Sequence, residues 1–466
     1  MLPVSRCDSL PYFHDSALLF ERLADLPWAL FLDSGRPAGT LGRFDILSAE
    51  PFVTLVTREG VTTVTTEEAC WDSQEDPFQL LREQLSPWQE PVGELPFYGG
   101  AMGYFSYDLA RLLESLPEWA AEKEPLPQMA VGIYDWAVVV DHQLQQSWLV
   151  SAGRDLKTTQ IWPQLLAWFE NPEEAKQRRA FRVESELSAS ETECSYRQAV
   201  ARIHDYIRAG DCYQVNFAQR FDVEVKGDSW QGYRSLRHSN PAPYGAYFST
   251  PFATLLSSSP ECFLQHKKGR VITQPIKGTR PRFDNREEDK RSADELIHSV
   301  KDRAENVMIV DLLRNDLSKH ARPASVKAVK LCELQSFPRV HHLVSRIEAE
   351  LKEGVDAVQL LADCFPGGSI TGAPKIRAMQ IIEELEACRR GVYCGSVAYI
   401  GFDGSMDSSI TIRTMVRVNE HLHFWAGGGI VADSQWQAEY QESFDKAAAF
   451  LDFLIGSGFW KETAHE

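Results

Sequence analysis

Three strand-like runs lie almost end to end near the C-terminus, at residues 395–402, 408–418 and 421–426, with Asp403-Gly404 and Asn419-Glu420 at the junctions. Links so short reverse the chain between neighbouring strands, whereas a parallel crossover takes a dozen residues or more. This end of the chain therefore reads as antiparallel sheet and not as a βαβ unit. The signature recurs upstream. Residues 51–66 alternate apolar and polar side chains about Glu59-Gly60, and the apolar run 131–140 precedes a polar stretch and then 148–152. Between these lie helical patterns. Tyr196, Ala199, Val200, Ile203 and Ile207 form one stripe, with Ser195 as N-cap, Gly210 as stop and a strand over 212–221 next. Further helices are expected at 295–313, 375–385 and 435–454, the last burying Trp436, Tyr440, Ala447, Leu451 and Leu454. The expected class is α+β, antiparallel sheets packed together with helices outside. A polar stretch at 171–190 reads as a connector, dividing residues 1–190 from a second region at 191–456 that shares one intertwined core with it.

A formal net charge of −18 argues against a nucleic-acid ligand, which calls for a basic face. An anionic substrate would then need a metal or local arginines to reverse the field at its site. Nine cysteines without a CxxC pair read as reduced thiols, not as a disulfide frame or zinc site. The first residues show no basic-then-apolar leader, and nowhere do about 18 apolar residues run together. The expected location is cytoplasmic.

Lys277, in Thr273-Gln-Pro-Ile-Lys-Gly-Thr279, is the candidate nucleophile. A lysine ammonium, with an ordinary pKa of about 10.4, attacks nothing until its site removes a proton. Two carboxylate pairs, Asp302/Glu305 and Glu439/Glu442, are spaced three apart, which puts each pair on one helix face. Such oxygens suit Mg2+, although a solvated acidic face has the same pattern. The run Phe365-Pro-Gly-Gly-Ser-Ile-Thr-Gly-Ala-Pro-Lys375 lacks the Gly-Lys-Ser/Thr ending of a phosphate loop, and Pro374 fits the first turn of a helix instead. Gly427, Gly428 and Gly429 match the opening of a dinucleotide fingerprint, but too little chain remains for a βαβ unit. They are either tight turns or bare backbone approaching an anion. Tyr393, and Arg413 in an expected strand 410–414, are candidates to grip a carboxylate. Glu261 suits a general acid if burial raises its pKa.

In this order the segments resemble the chorismate-utilising enzyme family, and within it the branch on the para-aminobenzoate and folate pathway. The matching runs are Gly210-Asp-Cys-Tyr-Gln-Val-Asn216, Ser259-Pro-Glu261, Pro275-Ile-Lys-Gly-Thr279, Asp302-Arg-Ala-Glu-Asn306, Asp311-Leu-Leu-Arg-Asn-Asp316, residues 367–375, Ile410-Thr-Ile-Arg-Thr414 and residues 427–431. The resemblance implies two large antiparallel sheets packed as a sandwich, as in anthranilate synthase component I. It implies that Lys277 attacks C2 of chorismate while Glu261 protonates the departing C4 hydroxyl, after which ammonia adds at C4 and expels the lysine. Glu305 and Glu442, supported by Asp302 and Glu439, would hold Mg2+ against the ring carboxylate. Tyr393, Arg413, Gly427, Gly428 and Gly429 would grip the enolpyruvyl end, and Ser369, Thr371 and His342 would line the ring pocket.

Lys277 also divides the family, because anthranilate synthases carry alanine in the PI-x-GT motif and add ammonia at C2 with loss of pyruvate. Isochorismate and salicylate synthases use water. Cys212 and Cys394 lack a glutaminase elbow, so the resemblance implies a separate glutamine amidotransferase subunit as ammonia source. Ser34, Leu41, Gly42, Arg43 and Phe44, with Pro243, Tyr244 and Gly245, resemble the family's tryptophan pocket. Two alternatives stay open: an anthranilate-forming enzyme, and a non-catalytic amino-acid-binding subunit on the same fold.

Overall fold

The computed structural model describes residues 5–457 apart from 38, 40, 41, 91, 92, 171–175, 338 and 339. Two antiparallel sheets, of thirteen and twelve strands among the described residues, pack face to face with helices on their outer sides. The first runs from Arg6–Leu10 through Leu30–Asp33, Tyr244–Ser249, Thr414–Val418 and His421–Ile430 to Gln214–Lys226 and the short Arg182–Val183. The second runs from Ile276–Pro281 through Val340–Glu350, Cys262–Lys267, Met406–Ile410, Ser396–Gly401 and Gly100–Phe105 to the hairpin Val53–Arg58/Val61–Thr66 and Cys70–Ser73. Strands from early and late in the chain alternate in both sheets, as where Leu30–Asp33 pairs with Tyr244–Ser249 and Gly100–Phe105 with Ser396–Gly401.

The packing follows from period-two alternation on strands buried on both faces. Leu30, Val139, Met102, Tyr104, Phe248 and Val397 meet between the sheets. Their neighbours Phe31, Val138 and Tyr247 face the helices outside the first sheet, and Ala101 and Phe105 those outside the second. That is why residues 131–140 read as an apolar run rather than as an alternating one. The expected turn at Glu59-Gly60 is present, with φ +48 and +77, the left-handed pair that suits a two-residue hairpin link. Among the described residues, no helix is long and apolar enough to cross a membrane. All nine cysteines are free thiols.

Several local expectations are corrected. The run 408–418 is not one strand: Met406–Ile410 belongs to the second sheet and Thr414–Val418 to the first. The chain changes sheets at Arg413, whose φ of +47 bends the backbone between them. The helix expected at 295–313 is two, Arg286–His298 and Val300–Ser318, because Ser299 is extended and caps the second. Thr192, not Ser195, is the N-cap of Glu193–Ala209; Ser195 completes the capping box from the third helical position. Gly427–Gly429 make no turn but continue strand His421–Ile430, paired with Ala218, Phe217 and Asn216. Within the connector, Arg182–Val183 and Ser188–Ala189 pair with Gln214–Lys226. The last helix, Trp436–Gly456, buries Glu439, Ser443, Ala447, Phe450, Phe453 and Leu454, while Trp436, Tyr440 and Leu451 are only partly covered.

Candidate active site

Lys277 lies on strand Ile276–Pro281, whose register against Val340–Glu350 slips between Lys277 and Thr279. Gly278 occupies the slip at φ +76, and a Cβ there would come within 2.8 Å of Leu296 Cδ1 and 3.1 Å of Asp302. Only glycine meets both demands, the left-handed backbone and the close approach. The Lys277 side chain is 12% exposed, with Nζ 3.4 Å from Glu305 Oε1 and donating to the Ser369 carbonyl at 3.1 Å.

Glu261 follows strand Thr254–Ser259 and is 4% exposed. Its carboxylate accepts from Ser369 Oγ at 2.7 Å, and its carbonyl accepts from Ile410 N at 3.1 Å. Burial pushes its pKa up; the Ser369 hydroxyl and the Lys277 charge offset only part of that. A carboxyl so placed keeps its proton to higher pH than a solvated one, which is what proton donation to a leaving group requires.

The four candidate metal carboxylates come from two helices, and three of them, Glu305, Glu439 and Glu442, border one stretch of bare backbone, while Asp302 lies against Gly278. A Cβ on Gly428 would lie 3.3 Å from both Glu439 Oε2 and Glu442 Oε1, and one on Gly429 would lie 2.7 Å from Glu305 Oε1. Each carboxylate has its own cation: Asp302 with Arg280 at 3.1 Å, Glu305 with Lys277, Glu439 with Lys301 at 3.2 Å, and Glu442 with Lys446 at 2.7 Å. Lys446 holds the Glu442 carboxyl below its usual range. Burial works against the Lys446 ammonium, but Glu442 outweighs it and keeps its pKa raised. The donor set is all oxygen and suits a hard cation such as Mg2+.

Among the described residues, the one group of three whose ligand atoms converge within 4.8 Å is elsewhere, at Glu124, Asp222 and His423. There the Arg220 guanidinium, bonded to both carboxylates, already supplies the positive charge.

Of the remaining expected residues, His342, Ser369 and Arg413 adjoin this cluster. His342 Nδ1 lies 2.9 Å from Thr279 Oγ1, and burial lowers the ring's pKa to about 3, so the imidazole is neutral near pH 7. Its Nε2 is buried without a protein partner. Arg413 lies close enough to His342 and Glu261 for its charge to act on His342 and for Glu261 to act on it in turn, and burial lowers its own pKa. Tyr393 stacks on Trp425 with ring centroids 5.6 Å apart and planes 5° from parallel. Ser369 and Thr371 sit on and just after the 3-10 turn Gly368–Ile370.

Sequence reasoning missed Lys446, Lys301 and Gln214, whose Nε2 donates to Glu305 Oε1 at 3.0 Å. Lys446 had a readable signal, since it stands four residues after Glu442 on one helix. It also missed the buried pair Glu386–Arg390, which is bonded to the Gly368–Ile370 turn.

A cavity of about 280 Å³ opens between the two sheets. Ser34, Gly42, Arg43, Phe44, Pro243, Tyr244 and Gly245 line it together, while Leu41 lies outside the described residues. Asp407, which sequence reasoning did not single out, joins them with Oδ1 unpartnered. Burial lifts its pKa to about 7.

Residues 30–452 match the family model described as chorismate binding enzyme. The chain is 46% identical over 447 residues to aminodeoxychorismate synthase component 1 of Salmonella typhimurium, covering 95% of this chain and 97% of that protein. It is likewise 46% identical over 438 residues to aminodeoxychorismate synthase component 1 of Escherichia coli, covering 93% and 95%. The crystal structure of anthranilate synthase component I from Streptococcus pneumoniae superposes with a TM-score of 0.79 at 32% identity, covering 88% of this chain and 92% of that one.

Proposed function

The chain belongs to the family of chorismate-binding enzymes, and from that premise we propose that it makes 4-amino-4-deoxychorismate from chorismate and ammonia, the chemistry of an aminodeoxychorismate synthase component 1. The observation that carries the choice within the family is Lys277. Its Nζ stands beside Glu305, and Ser369 links it to the buried acid Glu261.

Lys277, once deprotonated, bonds to ring C2 as the C4 hydroxyl departs, taking the Glu261 proton and leaving as water. Ammonia then bonds to C4 and the C2–lysine bond breaks, which restores the ring double-bond pattern and the free amine. No pyruvate is lost. Glu305 and Glu442, with Asp302 and Glu439 behind them, are the residues that would hold Mg2+. When bound, it would neutralise the ring carboxylate and stabilise charge as the hydroxyl leaves. Arg413, Tyr393 and the amides of Gly427–Gly429 orient the enolpyruvyl group, and His342, as a neutral acceptor, faces the ring together with Ser369 and Thr371.

Ammonia would come from a glutamine amidotransferase partner, the role that the component name of the relatives points to. The cavity between the sheets takes tryptophan in this reading: it has an aromatic wall at Phe44, Tyr244 and Tyr399, and a carboxyl at Asp407 with an oxygen to spare.

The test is chorismate with Mg2+ and ammonium salt, products separated by chromatography. Aminodeoxychorismate is expected; fluorescent anthranilate with released pyruvate would overturn the reading in favour of the sister reaction. No turnover with retained tryptophan binding would favour a non-catalytic subunit.

A further inference from the structure

Ser369 touches both reacting side chains, Glu261 through its hydroxyl at 2.7 Å and Lys277 through its carbonyl at 3.1 Å. It sits in a single 3-10 turn, Gly368–Ile370, closed by three long bonds from Thr371: N to the Gly368 carbonyl at 3.4 Å, and Oγ1 to the Gly367 and Gly368 carbonyls at 3.2 and 3.3 Å. Bonds of that length within residues 367–371 do not fix the turn against the strand beneath it to the fraction of an ångström that catalysis demands.

What holds it is Arg390, a residue 2% exposed. Its Nη1 donates to the Ile370 carbonyl at 2.9 Å and its Nη2 to the Asn216 carbonyl at 2.6 Å. Asn216 N donates in turn to the Thr371 carbonyl at 2.8 Å, so the strand beneath and the turn above are tied twice. Nε and Nη2 meet Glu386 as a two-pronged pair at 2.9 and 2.7 Å, and Glu386 also accepts from Ala218 N at 3.0 Å. The rings of Tyr107 and Tyr393 lie 4.8 and 5.6 Å from the guanidinium carbon. Every prong has an acceptor, and none of them is Lys277 or Glu261.

We propose that Arg390 is a positioning residue: its planar fork fixes the Ile370 carbonyl and so sets Ser369 against both Lys277 and Glu261. This rests on the reading of Lys277 as nucleophile and Glu261 as acid. Three acceptors spread around one side chain demand a guanidinium. A lysine there keeps the charge opposite Glu386 but cannot reach the turn, the strand and the carboxylate together.

The experiment is Arg390→Lys in the full chain, given chorismate and Mg2+, with adduct formation followed by intact-mass measurement in single turnovers. The variant is expected to fold and to keep its KM for chorismate within about threefold. Its rate of adduct formation should fall by about a hundredfold, the loss that a misplacement of roughly 1 Å carries. The limb of the pH–rate profile that reports Glu261 should also move to higher pH, because the Ser369 bond that favours its carboxylate is lost. A merely structural arginine would not move that limb. A folded variant with wild-type adduct rate and an unmoved limb would overturn the inference. Should Arg390→Lys not fold, the paired change Glu386→Gln with Arg390→Met removes both charges: the same loss of rate supports the inference and a wild-type rate overturns it. If the wild type turns chorismate over with no adduct at all, the Lys277 reading is what fails, and the same comparison is then read in the turnover rate.

Discussion

Replacing Gly429 by alanine is expected to weaken metal binding in a folded protein, whereas the same change at Gly427, two residues earlier on one strand, is expected to cripple folding. The difference lies in what each new methyl would strike. At Gly427 the Cβ would lie 2.1 Å from the Phe217 carbonyl and 2.4 Å from Ala218 Cα, both backbone of the paired strand. Neither yields without breaking the ladder, so the cost lies at or above the upper end of the 1–3 kcal/mol usual for overpacking. That is a large share of a total stability of about 5–15 kcal/mol. At Gly429 the Cβ would lie 1.9 Å from Gln214 Nε2 and 2.7 Å from Glu305 Oε1, which are side-chain ends that swing away. The chain keeps its ladder and loses the bond that orients Glu305. Loss of such an orienting partner typically costs about 10–100-fold in metal affinity. At Gly428 the nearest atoms, on Glu439 and Glu442, are 3.3 Å off and need move only slightly, so the effect on affinity should be under about tenfold. Calorimetric titration with Mg2+ and a thermal melt of each variant separate the three outcomes. Wild-type Mg2+ affinity in Gly429→Ala, or a wild-type melting temperature in Gly427→Ala, would refute the steric argument.

Lys277→Ala should show no mass gain on incubation with chorismate and Mg2+, while the wild type gains a covalent adduct that a chelator suppresses and added Mg2+ restores. With Glu261 as the proposed proton donor, activity should fall as pH rises through its elevated pKa, and Glu261→Gln should lose that limb with most of the rate. Asp407, lifted by burial from 3.8 to about 7, adds stability that is fully present below pH 4 and drains away as pH climbs to 7. The melting temperature of Asp407→Asn should therefore gain on that of the wild type between those values and no further above them; parallel curves would contradict the assignment.

What could be read in the sequence was what is encoded locally. The Glu59-Gly60 hairpin, the stop at Gly210 and the helix Lys375–Leu385 each rest on turn or cap chemistry within a few residues. The sheet change at Arg413 does not. The side chains alternate alike on either side of it, and only the packing of two sheets decides which strand joins which. The glycine trio was ambiguous for a related reason, since its partners Asn216, Phe217 and Ala218 stand some two hundred positions away in the chain. Lys277 and the carboxylates stood out through motif order. Arg390 did not, because one of two adjacent arginines after a helix looks like any solvated charge until Glu386, Ile370 and Asn216 surround it.

The alternation of early and late strands in both sheets constrains how the molecule is made. On the ribosome, Leu30–Asp33 waits for Tyr244–Ser249, and Gly100–Phe105 waits for Ser396–Gly401, so much of the nascent chain has hydrophobic edges with nothing yet to pair with. Contacts so distant in sequence make for slow folding. A polypeptide cut near residue 180 should yield two aggregation-prone fragments rather than two working modules, and co-expression would be the way to recover either.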